Sequence, residues 1–133
     1  MANQVQNMWV VRAGRSSEAD SVFMKSNRVA IGWIKMGDLS SLPADREAFK
    51  KKVSEAYPDK KAGAIPIDAG QLFRFVHEMN NEDYVLYPSK IDRHVHIGII
   101  TGPYQYDPAK DVRFPHHRPV KWLKKAPRTE FSQ

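Results

Sequence analysis

Hydrophobic positions recur along this chain in two rhythms. MWVVRAG (residues 8–14) and RVAIGW (28–33) are apolar runs of strand length. Between them, SSEADSVFMKSN (16–27) sets Ala19, Val22 and Phe23 at helical spacing, which predicts a short helix capped by Ser16 or Ser17. DREAFKKKVSEAYP (45–58) predicts an amphipathic helix with Phe49, Val53 and Ala56 or Tyr57 inward and a lysine face outward. After a loop at 58–65, Asp68 and Gln71 form a capping-box pattern. It opens a third helix reaching about Met79, with Leu72, Phe75, Val76 and Met79 inward.

Past a turn at 80–83 the reading changes to strand. DYVLYPS (83–89), HVHIGIITGPYQYD (94–107) and RPVKWLKK (118–125) are strand candidates, the first two joined by a turn at 90–93. Helices early and strands late favour an α+β fold over a doubly wound α/β one. Five strands in so small a domain imply a strongly curved sheet or partial barrel. The folded domain is expected over residues 1–126. Residues 127–133 lack apolar periodicity and read as the start of a linker.

Composition narrows the function. The chain has 133 residues, a typical length for one domain, and 41% of them are hydrophobic, enough for a core. There is no cysteine, which excludes disulfides and thiolate metal sites. No apolar run is long enough for a membrane span and no secretory-signal pattern opens the chain, so the cytoplasm is the simplest compartment. The net charge of +6 is unevenly spread. Lys110, Arg113, Arg118, Lys121, Lys124, Lys125 and Arg128 face one acid, Asp111, and are interleaved with Phe114, His116, His117 and Trp122. Cations for phosphates and rings for bases suit a nucleic-acid surface; a solvated basic strand has the same pattern.

Catalytic chemistry is sparse. Gly32 and Gly37 lack phosphate-loop spacing, and neither a GxSxG nor an HExxH motif is present. His94 and His96 share a strand face and could join His116 and His117 at zinc, but no carboxylate is spaced to complete the shell. Neither a metal nor a cofactor is expected, and the chain reads as a binder rather than an enzyme.

Several segments also stand in a familiar order: MWVVRAG, VAIGW followed by GDLS, QLFRFV, DYVLYP, IGIITGPYQYD, HHRPVKW and PRTEFS. Together they resemble the N-terminal domain of Mrr-like (type IV) restriction-system proteins, a relative of EVE and YTH domains in the PUA-like superfamily. The resemblance implies a PUA-like curved β-barrel of five to six strands with about three flanking helices. It also implies recognition of a methylated or hydroxymethylated base in double-stranded DNA, flipped into an aromatic cage, with a C-terminal nuclease domain in the full protein. An RNA-binding PUA-like module is the alternative. The chain departs from the family pattern at Asn80-Asn81-Glu82-Asp83, and Arg15 stands where relatives often carry an acid.

By that resemblance Trp33, at the end of the second strand, is a cage wall; packing against helix 16–27 is its other reading. Gly32 leaves room for a base to approach the ring. Tyr104, Tyr106 and Tyr87 are further candidates for the pocket or for barrel packing. Ser26 and Asn27 are candidates for reading the base edge, Asn27 being equally suited to cap a helix. Trp122 and Trp9 are expected in the core. Phosphate contacts are expected from Arg12, Arg15, Lys25, Arg28, Lys35, His116, His117, Arg118 and Lys121.

Overall fold

The computed structural model describes residues 7–131. In chain order the elements are β1 (Met8–Val10), α1 (Asp20–Ser26), β2 (Arg28–Ile31), α2 (Arg46–Ala56), α3 (Ala64–Phe73), β3 (Tyr84–Pro88), β4 (His94–Ile100), β5 (Gln105–Tyr106) and β6 (His116–Pro127). Among the described residues the strands form one sheet in the order β1-β3-β4-β6-β2, with β5 also paired to β6. β1 runs parallel to β3, and the other pairs are antiparallel.

The long β6 gives the sheet its curl. Its first residues pair with β2 and β5, and the rest pair with β4. One strand serving two directions must bend, and the β4–β6 register shifts between Ile97 and Gly98. Gly98 is needed there, because a Cβ would lie 2.6 Å from Val120 Cγ1 and 2.8 Å from Trp122 Cε3. The product is an α+β fold: a curled, mixed half-barrel with, among the described residues, three α-helices.

Two cores hold it. One lies between the sheet and α1, around Phe23, Val29, Val85, Tyr87 and Ile100. The other joins α2 and α3 through Phe49, Val53, Leu72, Met36 and Leu39. Ile31 and Tyr104 touch both.

The helix faces follow the sequence pattern: Ala19, Val22 and Phe23 are buried, as are Phe49 and Val53. Asp45 caps α2 by accepting from Glu47 N. The ends of the other helices differ from expectation. Neither Ser16 nor Ser17 caps α1; Ser17 is buried and its hydroxyl accepts the Lys90 N–H. α3 starts at Ala64, four residues before the expected cap, with Pro66 in its first turn, where a missing N–H costs nothing. α3 then runs into a π turn, Arg74–Glu78. The expected strand 94–107 breaks at Thr101–Pro103, where Pro103 has no N–H to donate and Thr101 N turns to Pro119 O. β6 begins two residues earlier than expected and continues through Pro127 into a 3₁₀ turn at Arg128–Phe131. That reaches into the expected linker, whose last two residues lie outside the described ones. Among the described residues no helix is long and apolar enough to cross a membrane.

Candidate functional site

β1, the end of β2 and the α3–π turn junction border a cleft of about 590 Å³. Trp9, Trp33, Phe75 and Phe114 supply its rings, Arg12, Arg15 and Arg74 its cations. This volume is within the range of about 300–1,000 Å³ of small-molecule sites.

Trp33 carries the local anomaly. β2 ends at Ile31, and Trp33 then adopts φ 58, ψ 56, the left-handed region. A bulky residue there is an outlier and costs roughly 1–2 kcal/mol. Contacts at both ends of the residue hold it. Its indole Nε1–H donates to Asp68 Oδ2 at 3.1 Å, and Asp68 also pairs with Lys60. Its carbonyl accepts from Met36 N at 3.1 Å and from His116 Nε2 at 3.1 Å. A carbonyl partner requires the His116 proton on Nε2, so Nδ1 accepts from the Tyr104 hydroxyl at 2.7 Å. Leu39 N in turn donates to that hydroxyl. Burial pushes the His116 pKa down, favouring the neutral ring this chain of bonds requires, and pushes Tyr104 up to about 12.

The other walls are fixed similarly. Trp9 Nε1–H donates to Asp83 Oδ2 at 2.9 Å. The buried Asp83 also accepts the N–H groups of Asn7 and Asn80. Both tryptophans thus commit their polar edge to a carboxylate behind the cleft and offer it their rings. Gly14, at φ +84, lets the chain turn beneath Phe114; a Cβ there would sit 2.9 Å from the Phe114 ring. Gly32 is not demanded by the protein itself, since a Cβ would meet only Arg113 O at 3.7 Å. Among the described residues no Asp or Glu lines this cleft.

Of the expected pocket residues, Trp33 and Gly32 line the cleft, and of the expected phosphate contacts Arg12 and Arg15 do. The rest are placed elsewhere. Tyr87 is a correction: it is fully buried in the sheet core, its hydroxyl donates to Asp20, and burial raises its pKa to about 12. Tyr104 is half-buried behind Trp33 and borders a second, more polar cleft beside Asn80 and Asp83. Tyr106 packs on His116. Asn27 is the left-handed C-cap of α1, and Ser26 is the last residue of that helix.

Three expected phosphate contacts are corrected by burial. His116 and His117 are each 0% exposed and Arg118 is 3% exposed. His117 bonds Phe114 O and accepts from Arg28, and burial lowers its pKa as well. Arg118 donates to Gly102 O at 3.0 Å and, through Nη1, to Phe75 O and Met79 O, both at 2.9 Å. It therefore closes the π turn that brings Arg74 and Phe75 to the cleft. Arg28 pairs with Asp107 at 2.9 Å. Lys25 and Lys121 are exposed away from the cleft lining, and Lys35 lies over Tyr57.

Arg74, Gln71, Phe75, Phe114 and Trp9 were not expected at the site. A signal existed for three of them: Gln71, Arg74 and Phe75 have the i, i+3, i+4 spacing of one helix face. Trp122, expected in the core, packs against Phe23, Tyr87 and His96. Among the described residues no group of three His, Asp or Glu is placed to hold a metal ion.

No curated protein and no solved structure matches the chain. A family model described as a domain of unknown function, DUF8426, matches residues 9–133, so the chain belongs to that family.

Proposed function

We propose that this domain is a non-enzymatic, PUA-like (EVE/YTH-like) module that recognises a modified base in double-stranded DNA, flipped out of the duplex into the Trp33 cleft. In the full protein it would direct a C-terminal nuclease to modified DNA in the cytoplasm. The observation that carries this reading is Trp33 itself: a left-handed tryptophan, tied at its indole N–H and its carbonyl, lining a cleft bordered by three arginines. Strain of this kind clusters at ligand sites.

The energetics fit a nucleotide. Stacking on an aromatic ring is worth roughly 1–3 kcal/mol per base. Flipping costs a few kcal/mol. Phosphate contacts must offset that cost, and the exposed Arg12 and Arg15 at the cleft, with Lys35 nearby in sequence, are suited to make them.

The test is fluorescence anisotropy on matched duplexes, unmodified or carrying one 5-methylcytosine, 5-hydroxymethylcytosine, 5-carboxylcytosine or N6-methyladenine, at two salt concentrations. One modified duplex should bind several-fold tighter, and Trp33→Ala should erase the preference while leaving the salt dependence. Equal binding of all duplexes, with tighter binding of matched RNA, would move the assignment to an RNA-binding module.

A further inference from the structure

The charge of the cleft constrains what enters it. Arg12, Arg15 and Arg74 all line it. Among the described residues none of the three is in an ion pair with a carboxylate. Glu18 lies near Arg15 but accepts the Ser16 N–H. The two carboxylates behind the cleft, Asp68 and Asp83, are turned to the tryptophan indoles.

Arg74 is the informative cation, since Arg12 and Arg15 are exposed and it is half-buried. Its Nη1 lies 3.3 Å from where a Gly70 Cβ would stand, and Arg46 Nη1 lies 3.4 Å from the same point. Two guanidiniums therefore meet over Gly70. Arg46 is compensated by Glu78 at 3.3 Å and sits over the Phe73 ring. Arg74 lines the cleft, its guanidinium standing over Gly70 at the cleft's edge, with no carboxylate partner among the described residues and on a turn that Arg118 fixes by two hydrogen bonds.

A half-buried guanidinium without a carboxylate partner, in a cleft also lined by aromatic rings, suits a planar group bearing a negative charge. Guanidinium and carboxylate match in a bidentate pair, with both hydrogen bonds charge-assisted. A methyl group would gain only about fourfold from burial.

We infer that the cleft selects a base bearing a carboxylate substituent, such as a 5-carboxylated cytosine, over one bearing a methyl group, with Arg74 as the specificity-determining residue. This rests on the reading that the cleft takes a flipped base. The anion could also be the nucleotide's own phosphate, and the experiment separates the two sources.

Four duplexes differing at a single cytosine (unmodified, 5-methyl, 5-hydroxymethyl, 5-carboxyl) are titrated against wild type, Arg74→Gln and Arg74→Lys, with thermal melts to establish folding. The expected result is at least about tenfold tighter binding of the 5-carboxyl duplex than of the 5-methyl one, from charged hydrogen bonds. Arg74→Gln should reduce that advantage to under about twofold by weakening the 5-carboxyl duplex far more than the other three; Arg74→Lys, keeping the charge but losing the fork, should retain part of it. A uniform loss on all four duplexes in Arg74→Gln would make Arg74 a phosphate clamp and overturn the inference. A 5-methyl preference erased by Trp33→Ala would overturn it too, while leaving the reader function standing. Four equal affinities, unchanged in Trp33→Ala, would remove both.

Discussion

Trp122 and Trp33 are both partly buried, each against one of the two cores, yet they differ in backbone and surroundings. Trp122 belongs to a closed aromatic cluster: its ring packs against Phe23 at 6.4 Å, Tyr87 at 6.2 Å and His96 at 6.2 Å. Its indole N–H donates to the Phe23 carbonyl, and its backbone is ordinary strand. Trp33 has a left-handed backbone, lines an open cleft and donates to a side-chain carboxylate. Where rings cover one another, an aromatic residue serves stability. The Trp33 ring also packs on the α2–α3 core, but packing leaves the strained backbone and the open cleft unaccounted for, and that remainder is what the proposed ligand site explains.

That contrast is breakable by mutation. The largest effect belongs to the closed cluster. Phe23→Ala should cost about 3–5 kcal/mol in urea denaturation, since Phe23 is fully buried and its cavity is walled by other rings. A loss under about 1 kcal/mol would mean that this cluster is not the core. Next is Arg118→Leu, which strips the charged donor from three buried carbonyls and should cost about 3 kcal/mol. It should also weaken nucleic-acid binding, because the π turn behind Arg74 loosens; unchanged binding in the folded variant would separate Arg118 from the cleft. Trp33→Ala should do the reverse of Phe23→Ala. Stability should change by about 1 kcal/mol or less, lost packing being offset by a smaller left-handed strain. Preferred-duplex affinity should drop by about 1–3 kcal/mol.

The smallest effect is on pH dependence. Burial lowers the pKa of both His116 and His117, so the folded state binds fewer protons than the unfolded chain. Their contribution is fully present above the unfolded value of about 6.5 and is lost as the pH falls from there towards the folded pKa. The Tm should therefore decline between about pH 7 and pH 5, and His117→Gln should flatten part of that slope. A Tm independent of pH over this range would contradict the neutral, buried pair.

What the sequence disclosed follows the range of the forces involved. Local periodicity identified the inward faces of α1 and α2, because Phe23, Phe49 and Val53 are fixed by helical spacing alone. It misplaced the start of α3, because Asp68 is claimed by the indole of Trp33, 35 residues away in the chain, rather than by its own helix. The basic–aromatic run divides for a similar reason. Lys121, Lys124 and Lys125 are exposed, but His116, His117 and Arg118 are buried by carbonyls of Trp33, Phe114, Gly102, Phe75 and Met79. A polar residue can be buried when distant carbonyls satisfy it, and no local pattern announces those carbonyls. Trp33 stood out because a tryptophan beside a glycine at the end of a strand suits packing poorly. Arg74 did not, because its helix was read only for its apolar face.

The most direct test labels the three tryptophans with 5-fluorotryptophan and follows their ¹⁹F resonances, assigned with Trp33→Phe and Trp122→Phe, while the preferred modified duplex is added. The account predicts that the Trp33 resonance shifts most, Trp9 less, and Trp122 stays in place. A duplex that binds while Trp33 stays in place, or that moves Trp122 as much as Trp33, would contradict the assignment of the open cleft as the binding site.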